Sequence, residues 1–125
     1  MTTLNRIQLV GRLGKDPEIR QTNSGKNLTT FSLAVHRHWK GADGETKKAT
    51  DWFNVQAWGS TAEICQRSLT KGCLVFLEGR VQIDRYEQNG QTLYYTKVVA
   101  THVQNLEWKT EEPELLEGQV EELSE

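Results

Sequence analysis

Apolar and polar positions alternate with period two in five stretches of this chain: Arg6 to Val10, Phe31 to His38, Asp51 to Trp58, Leu74 to Tyr86 and Leu93 to Val103. That period is the signature of a strand with one face buried and the other solvated, so the pattern predicts five strands. Turn chemistry separates them at Asn23-Ser24-Gly25, at Gly41-Ala42-Asp43-Gly44 and at Asn89-Gly90. The Asn-Gly pair tolerates the positive φ angles of a tight turn, which predicts one long hairpin from the fourth strand into the fifth. A single helix is expected between the third and fourth strands. There Ser60-Thr61-Ala62-Glu63 has the form of a capping box, Ala62, Cys65 and Leu69 follow at helical spacing, and Gly72 is placed to stop the helix.

Three strands, a helix and two more strands is the order of an OB-fold, an all-β five-stranded Greek-key barrel with one helix closing an end. Other small barrels fit the same pattern. The barrel interior would be built from Phe31, Leu33 and Val35 on the second strand and Phe53, Val55 and Ala57 on the third. Gly79, midway along the fourth strand, predicts a bulge or bend.

If Phe53, Val55 and Ala57 face inward, then Trp52, Asn54, Gln56 and Trp58 face outward, because successive side chains alternate. Two tryptophans on a solvated face, roughly 20 Å apart along the strand, leave apolar area for something to cover. Covering one ring contributes about 1.5–3 kcal/mol. Two more aromatics stand at strand-to-turn junctions, Trp39 ahead of the Gly41–Gly44 turn and Tyr86 ahead of Asn89-Gly90. Cations surround all four: Arg37 and Lys40 beside Trp39, Lys47 and Lys48 ahead of Trp52, Arg85 beside Tyr86. Arg6, Arg12, Lys15, Arg20, Lys71 and Lys97 add positive charge without the sequence placing them on one face. Rings interleaved with cations suit a flexible single strand of DNA or RNA, since every base offers a face to stack on and every linkage a phosphate to neutralise. The competing reading is that such rings cover a barrel end or a subunit contact.

Charge distribution sharpens this picture. The 125 residues have a net charge of −2, but residues 1–109 carry all 15 basic and 10 acidic side chains, net +5, whereas residues 110–125 carry 7 acidic and no basic ones. This divides the chain into a basic body, 1–109, and an acidic tail, 110–125. The longest apolar run, Cys73-Leu74-Val75-Phe76-Leu77, is far short of the roughly 20 residues that cross a bilayer. The start, Met-Thr-Thr-Leu-Asn-Arg, lacks the regions of a secretory signal, which predicts a cytoplasmic protein. Two cysteines, Cys65 and Cys73, are expected as buried thiols of a reducing compartment. His36 and His38 share one side of a strand but lack a Cys or carboxylate at metal spacing, so no metal or other cofactor is expected. Neither a phosphate-binding glycine loop nor a nucleophile elbow occurs, and no carboxylate pair has the setting of an acid–base site, so no enzyme activity is expected.

With these residues in place, the chain resembles the bacterial single-stranded DNA-binding protein family. The resemblance runs from about Asn5 to Glu107. It rests on Asn5-Arg6-Ile7-Gln8-Leu9-Val10-Gly11-Arg12-Leu13-Gly14-Lys15-Asp16-Pro17-Glu18-Ile19-Arg20, on Asp51-Trp52-Phe53-Asn54-Val55, on Lys71-Gly72, on Leu77-Glu78-Gly79-Arg80 and on the last strand. It implies a homotetramer of OB-folds around which single-stranded DNA wraps during replication, recombination and repair. It implies four stacking platforms at Trp39, Trp52, Trp58 and Tyr86, the four that the residue pattern itself singles out. Phosphate contacts are expected from Arg6, Arg12, Arg20, Lys47, Lys71 and Arg85.

Two departures stand out. Phe53 occupies a position where the family commonly has a histidine involved in assembly. The family's Gly/Pro/Gln-rich linker and Asp-Asp-Ile-Pro-Phe tip, which recruits replication and repair proteins, is not matched by Thr110 to Glu125. There Leu116, Val120 and Leu123 recur at i, i+4 and i+7, compatible with a marginal amphipathic helix near Pro113. The tail has three readings: a solubilising end, an anion mimic that competes for the DNA groove, or a docking segment. A second function class also stays open, an OB-fold interaction subunit of primosome-accessory type whose aromatics contact protein.

Overall fold

The computed structural model describes residues 2–107. The boundary expected near residue 109 and the three readings of the acidic tail therefore lie outside the described residues. Six strands and one helix follow in the order β1 (Ile7–Leu13), β2 (Glu18–Gln21), β3 (Asn27–Lys40), β4 (Thr46–Trp58), α1 (Gly59–Ser68), β5 (Leu74–Gln88) and β6 (Gln91–Asn105). The sheet order is β1-β5-β6-β4-β3-β2, and a further pairing of β1 with β3 closes five of the strands into a barrel. The expected OB-fold barrel is thus present. The sixth strand, β2, was not expected; it is a four-residue edge strand, exposed throughout, that among the described residues pairs only with β3.

The inward faces carry the core that alternation assigns. Leu33, Val55, Val75, Leu77 and Val98 are fully buried, and α1 closes one end with Ala62, Cys65 and Leu69. Val35 and Phe53 are only half-buried and pack at the margin of this core, toward the end that α1 does not cover. The helix is pinned from both sides. The buried Thr29 hydroxyl donates to the Ala62 carbonyl at 3.1 Å, and the Asn105 amide donates to the Ser68 carbonyl, an otherwise orphaned acceptor of the last turn.

The capping box does not form. The helix begins at Gly59 directly out of β4, with Trp58 as its N-cap and no side-chain cap hydrogen bond. The Glu63 carboxylate instead accepts from the Asn27 amide of β3 at 3.0 Å. The helix also ends earlier than expected, at Ser68 with Leu69 as its C-cap, and Gly72 serves the following turn. Of the two thiols only Cys65 is buried; Cys73 is half-buried. Burial pushes the Cys65 thiol up to about 12, which keeps it protonated and chemically quiet at neutral pH.

Two hairpins run past the barrel. The β3–β4 ladder continues out to Lys40↔Thr46, and the β5–β6 ladder to Gln88↔Gln91, where Asn89 and Gly90 take the positive φ angles that their turn requires. Between β4 and β6 the ladder is short and parallel, Val55↔Val98, Gln56↔Val99 and Ala57↔Ala100. Beyond Val55 the two strands diverge, and a wedge opens between them. Among the described residues no helix is long and apolar enough to cross a membrane.

Candidate nucleic-acid interface

On β4 the alternation works as expected: Val55 and Ala57 are buried, while Trp52 is 59% and Trp58 37% exposed. Each tryptophan shares a cross-strand row with an arginine, across one small or apolar residue of β3. Arg12 pairs with Ala34, which pairs with Trp52; Arg20 pairs with Leu28, which pairs with Trp58. Residues opposite one another in a ladder point to the same face, so the backbone of each arginine lies two strand spacings, roughly 10 Å, from that of its tryptophan. Between the two rows lie Thr30 with Gln56 and Ser32 with Asn54. The result is an outer face with a ring and a cation at each end and amides and hydroxyls between.

Trp52 owes its seat to a glycine. A Cβ built on Gly14 would meet the six-membered part of the Trp52 indole at 2.6 Å, so the bare backbone of the β1–β2 connection lets the ring lie against it. The obstruction is a side chain and not backbone. Gly14→Ala is therefore expected to displace the Trp52 ring and weaken binding of an oligo-dT, while thermal unfolding of the protein changes little. A wild-type affinity in Gly14→Ala would show that the ring does not need this seat.

Trp39 occupies another surface, and Tyr86 stands farther out along the β5–β6 hairpin. Counting by two along β3, Trp39 falls on the face of Phe31 and Leu33, beyond the end of the barrel and opposite to the Trp52 face. Arg37 lies over its ring with Cζ 5.2 Å from the centroid, and also pairs with Asp51 at 2.9 Å. Tyr86 pairs with Leu93 near the tip of the β5–β6 hairpin. Both rings are 45% exposed. The four aromatics are therefore all accessible, but one surface does not hold them all.

Five of the six expected phosphate contacts are engaged in ion pairs. Arg6 pairs with Glu78 on the β1–β5 side of the barrel, away from β4. Its hydrogen bond, with one from Gln8, holds the Glu78 carboxyl below its ordinary range. Arg12 makes two parallel 3.0 Å hydrogen bonds to Glu107 and a third, 2.9 Å, to the Gly72 carbonyl. The Glu107 hydrogen bond raises the Arg12 pKa further. Arg20 lies 3.6 Å from Glu18, Lys47 3.5 Å from Asp43 and Arg85 4.0 Å from Glu87. The single-contact pairs of Arg20, Lys47 and Arg85 are exposed and weak, so a phosphate can compete for each of these cations, whereas Arg12, held in two hydrogen bonds, gives up its carboxylate less readily. Lys71 makes no side-chain ion pair among the described residues; its backbone amide donates to Asp16 at 2.7 Å. Lys97 is mostly buried and held by Asp84 at 2.9 Å; hydrogen bonds from Gln82 and then Lys97 depress the Asp84 carboxyl. His36 donates to or accepts from Thr50 at 2.9 Å.

One residue of this face was missed by sequence reasoning. Tyr95, 42% exposed, lines a cleft of about 250 Å³ together with Asn54 and Gln56. Counting by two from the buried Val98 and Ala100 separates it from Tyr94, which falls on the other face of β6.

The family model for the single-strand binding protein family matches residues 4–106. The chain belongs to that family. Among the similar proteins, "Single-stranded DNA-binding protein 2" of Staphylococcus aureus is 47% identical over 107 residues, 85% of this chain and 74% of its own length. "Single-stranded DNA-binding protein 1" of Chlorobaculum tepidum is 40% identical over 105 residues, 82% of this chain; the match spans 65% of the relative, just under two thirds. Among solved structures, the Plasmodium falciparum SSB complex with ssDNA has a TM-score of 0.80 at 28% identity, covering 86% of this chain and 98% of that one. These relatives give the interaction-subunit alternative no support.

Proposed function

We propose that this chain binds single-stranded DNA without sequence preference, through the outer face of β3 and β4 and the flanking hairpins. The observation that carries it is the pair of exposed tryptophans on β4, each in a row with an arginine, in a member of a single-strand binding family. Bases stack on Trp52 and Trp58, and on Trp39 and Tyr86 where the strand turns around the hairpins. Stacking contributes about 1–3 kcal/mol per base regardless of its identity. Arg12, Arg20, Lys47, Lys71 and Arg85 neutralise phosphates, the paired ones exchanging a carboxylate for the strand; Arg6, on the far side of the barrel, serves a strand that continues round it. Duplex DNA hides its base faces, so preferential binding melts secondary structure by population shift.

The working form is a homotetramer whose subunits share one strand, which raises avidity through effective concentration. Its place is the cytoplasm, on the nucleoid, in replication, recombination and repair, alongside the enzymes of those processes; it catalyses nothing itself. The test is a tryptophan-fluorescence titration with a long oligo-dT at low and high salt, with matched duplex as control. Strong quenching by oligo-dT alone, persisting in part at high salt, is the expected result. Absence of quenching together with absence of a complex in a gel-shift assay overturns it.

A further inference from the structure

We infer that Tyr95, with the side-chain amides of Asn54 and Gln56, forms a base-binding subsite that joins the tryptophan face of β4 to Tyr86. The inference rests on the interface proposed above and adds to it a residue on a third strand.

Register places Tyr95 there. Gln56 of β4 pairs with Val99 of β6, so the two share the outer face; counting by two from Val99 puts Lys97 and Tyr95 on it as well. Because β4 and β6 are parallel, Tyr95 stands four residues from Val99 as Trp52 stands four residues from Gln56, level with it across the wedge. On the other side Tyr95 pairs with Asp84, and the next same-face row is Tyr86↔Leu93. Tyr86 and Tyr95 are thus diagonal neighbours, about 7–8 Å apart at the backbone, within reach for aromatic side chains. The gap between Trp52 and Trp58 spans several nucleotides, given roughly 20 Å along the strand against about 3.4 Å per stacked nucleotide. Tyr95 stands beside that gap.

The cleft itself suits a base more than a phosphate. Its volume of about 250 Å³ is below the ~300–1,000 Å³ of drug-sized ligand pockets and fits one flat ring. Its lining includes Asp16 and Glu18 beside Lys15, carboxylates that repel a phosphate and accept from base amino groups. Neither the Asn54 nor the Gln56 side-chain amide makes a hydrogen bond among the described residues. Each amide offers both a donor and an acceptor, so together they can meet the edge of any base.

Tyr95→Leu is expected to weaken binding of fluorescent oligo-dT roughly 5- to 150-fold in an anisotropy titration at high salt, where phosphate contacts count least. Tyr95→Phe, which keeps the ring, is expected to bind like wild type. Trp52→Ala in the same assay reports on the interface as a whole. If Trp52→Ala weakens binding and Tyr95→Leu does not, the subsite is overturned while the interface stands; if neither does, both fall. Photo-crosslinking of the unmutated protein to a 5-iodouracil oligonucleotide is a check free of folding effects. A crosslinked peptide carrying Tyr95 supports the subsite, and crosslinks confined to the tryptophans overturn it.

Discussion

Replacing Trp52 by alanine is expected to lower the affinity for a labelled oligo-dT roughly 5- to 150-fold, the equivalent of one stacked base at about 1–3 kcal/mol. The ring is the most exposed tryptophan among the described residues, so the protein gives up little of its own packing when it goes. Unfolding should shift by no more than about 1 kcal/mol. The salt dependence separates stacking from charge. Removing a ring leaves the slope of log K against log salt unchanged, because no counterion release is lost, whereas Arg12→Gln or Arg20→Gln lowers the slope by about one unit per phosphate contact. Trp58→Ala should act in the same way, with a smaller loss because less of its ring is free. The two losses should add, since the residues are six positions apart with no shared partner in the ladder. Anisotropy titrations of the two single variants and the double variant, each at several salt concentrations, decide the matter. A Trp52→Ala variant with wild-type affinity at high salt would remove the platform from this face.

How much of this was legible in the sequence depends on how far each signal reaches along the chain. Alternation is local, and it placed Val55, Ala57, Trp52 and Trp58 on their faces before any pairing was known. Asn89-Gly90 and Gly79 are likewise read in place, and the structure puts the tight turn and the register shift there. The short β2 left no such trace. All four of its residues are exposed, so no buried position marks a period, and the strand exists only because β3 offers an open edge. The Ser60–Glu63 motif is a local signal overruled by a tertiary one, since Asn27, far away in sequence, takes the carboxylate that a capping box needs.

The cations are illegible for a similar reason. Nothing near Arg12 in the chain announces that Glu107 will hold it in two hydrogen bonds, and nothing near Arg6 announces Glu78. A sequence shows which charges a domain has, while the fold decides which of them are already spoken for. Trp39 shows the same limit in geometry. Its neighbours in sequence are basic, as the motif requires, but the parity of β3 sends it to the opposite face from Trp52, and a bound strand must turn around the hairpin to reach both.

The largest loss of stability is expected from a single methyl group at Gly79. A Cβ there would meet the Val99 carbonyl oxygen at 2.1 Å and the Ala100 Cα at 2.8 Å. Both are backbone atoms in the middle of the sheet, so no side chain can swing aside to relieve them. Overpacking typically costs 1–3 kcal/mol, and the rigid obstacle puts Gly79→Ala at about 3 kcal/mol or more, a large part of the ~5–15 kcal/mol that holds a domain folded. The site explains why the approach is so close. The register slips here from Glu78↔His102 to Gly79↔Ala100, leaving Thr101 as the extra residue of a bulge, with its hydroxyl donating to the Glu78 carbonyl at 3.2 Å. A bulge reverses which residues of a strand face inward. Val103 points into the core on one side of it, Ala100 and Val98 on the other. Without the slip, counting by two from Val103 would turn Val99, Lys97 and Tyr95 inward and send Tyr94 to the face of Trp52. The glycine that lets two backbones touch therefore also selects which tyrosine meets the ligand. Denaturant unfolding of Gly79→Ala against wild type at one protein concentration measures the cost. A difference below about 0.5 kcal/mol, the range of surface substitutions, would mean that the two backbones are not in contact in solution.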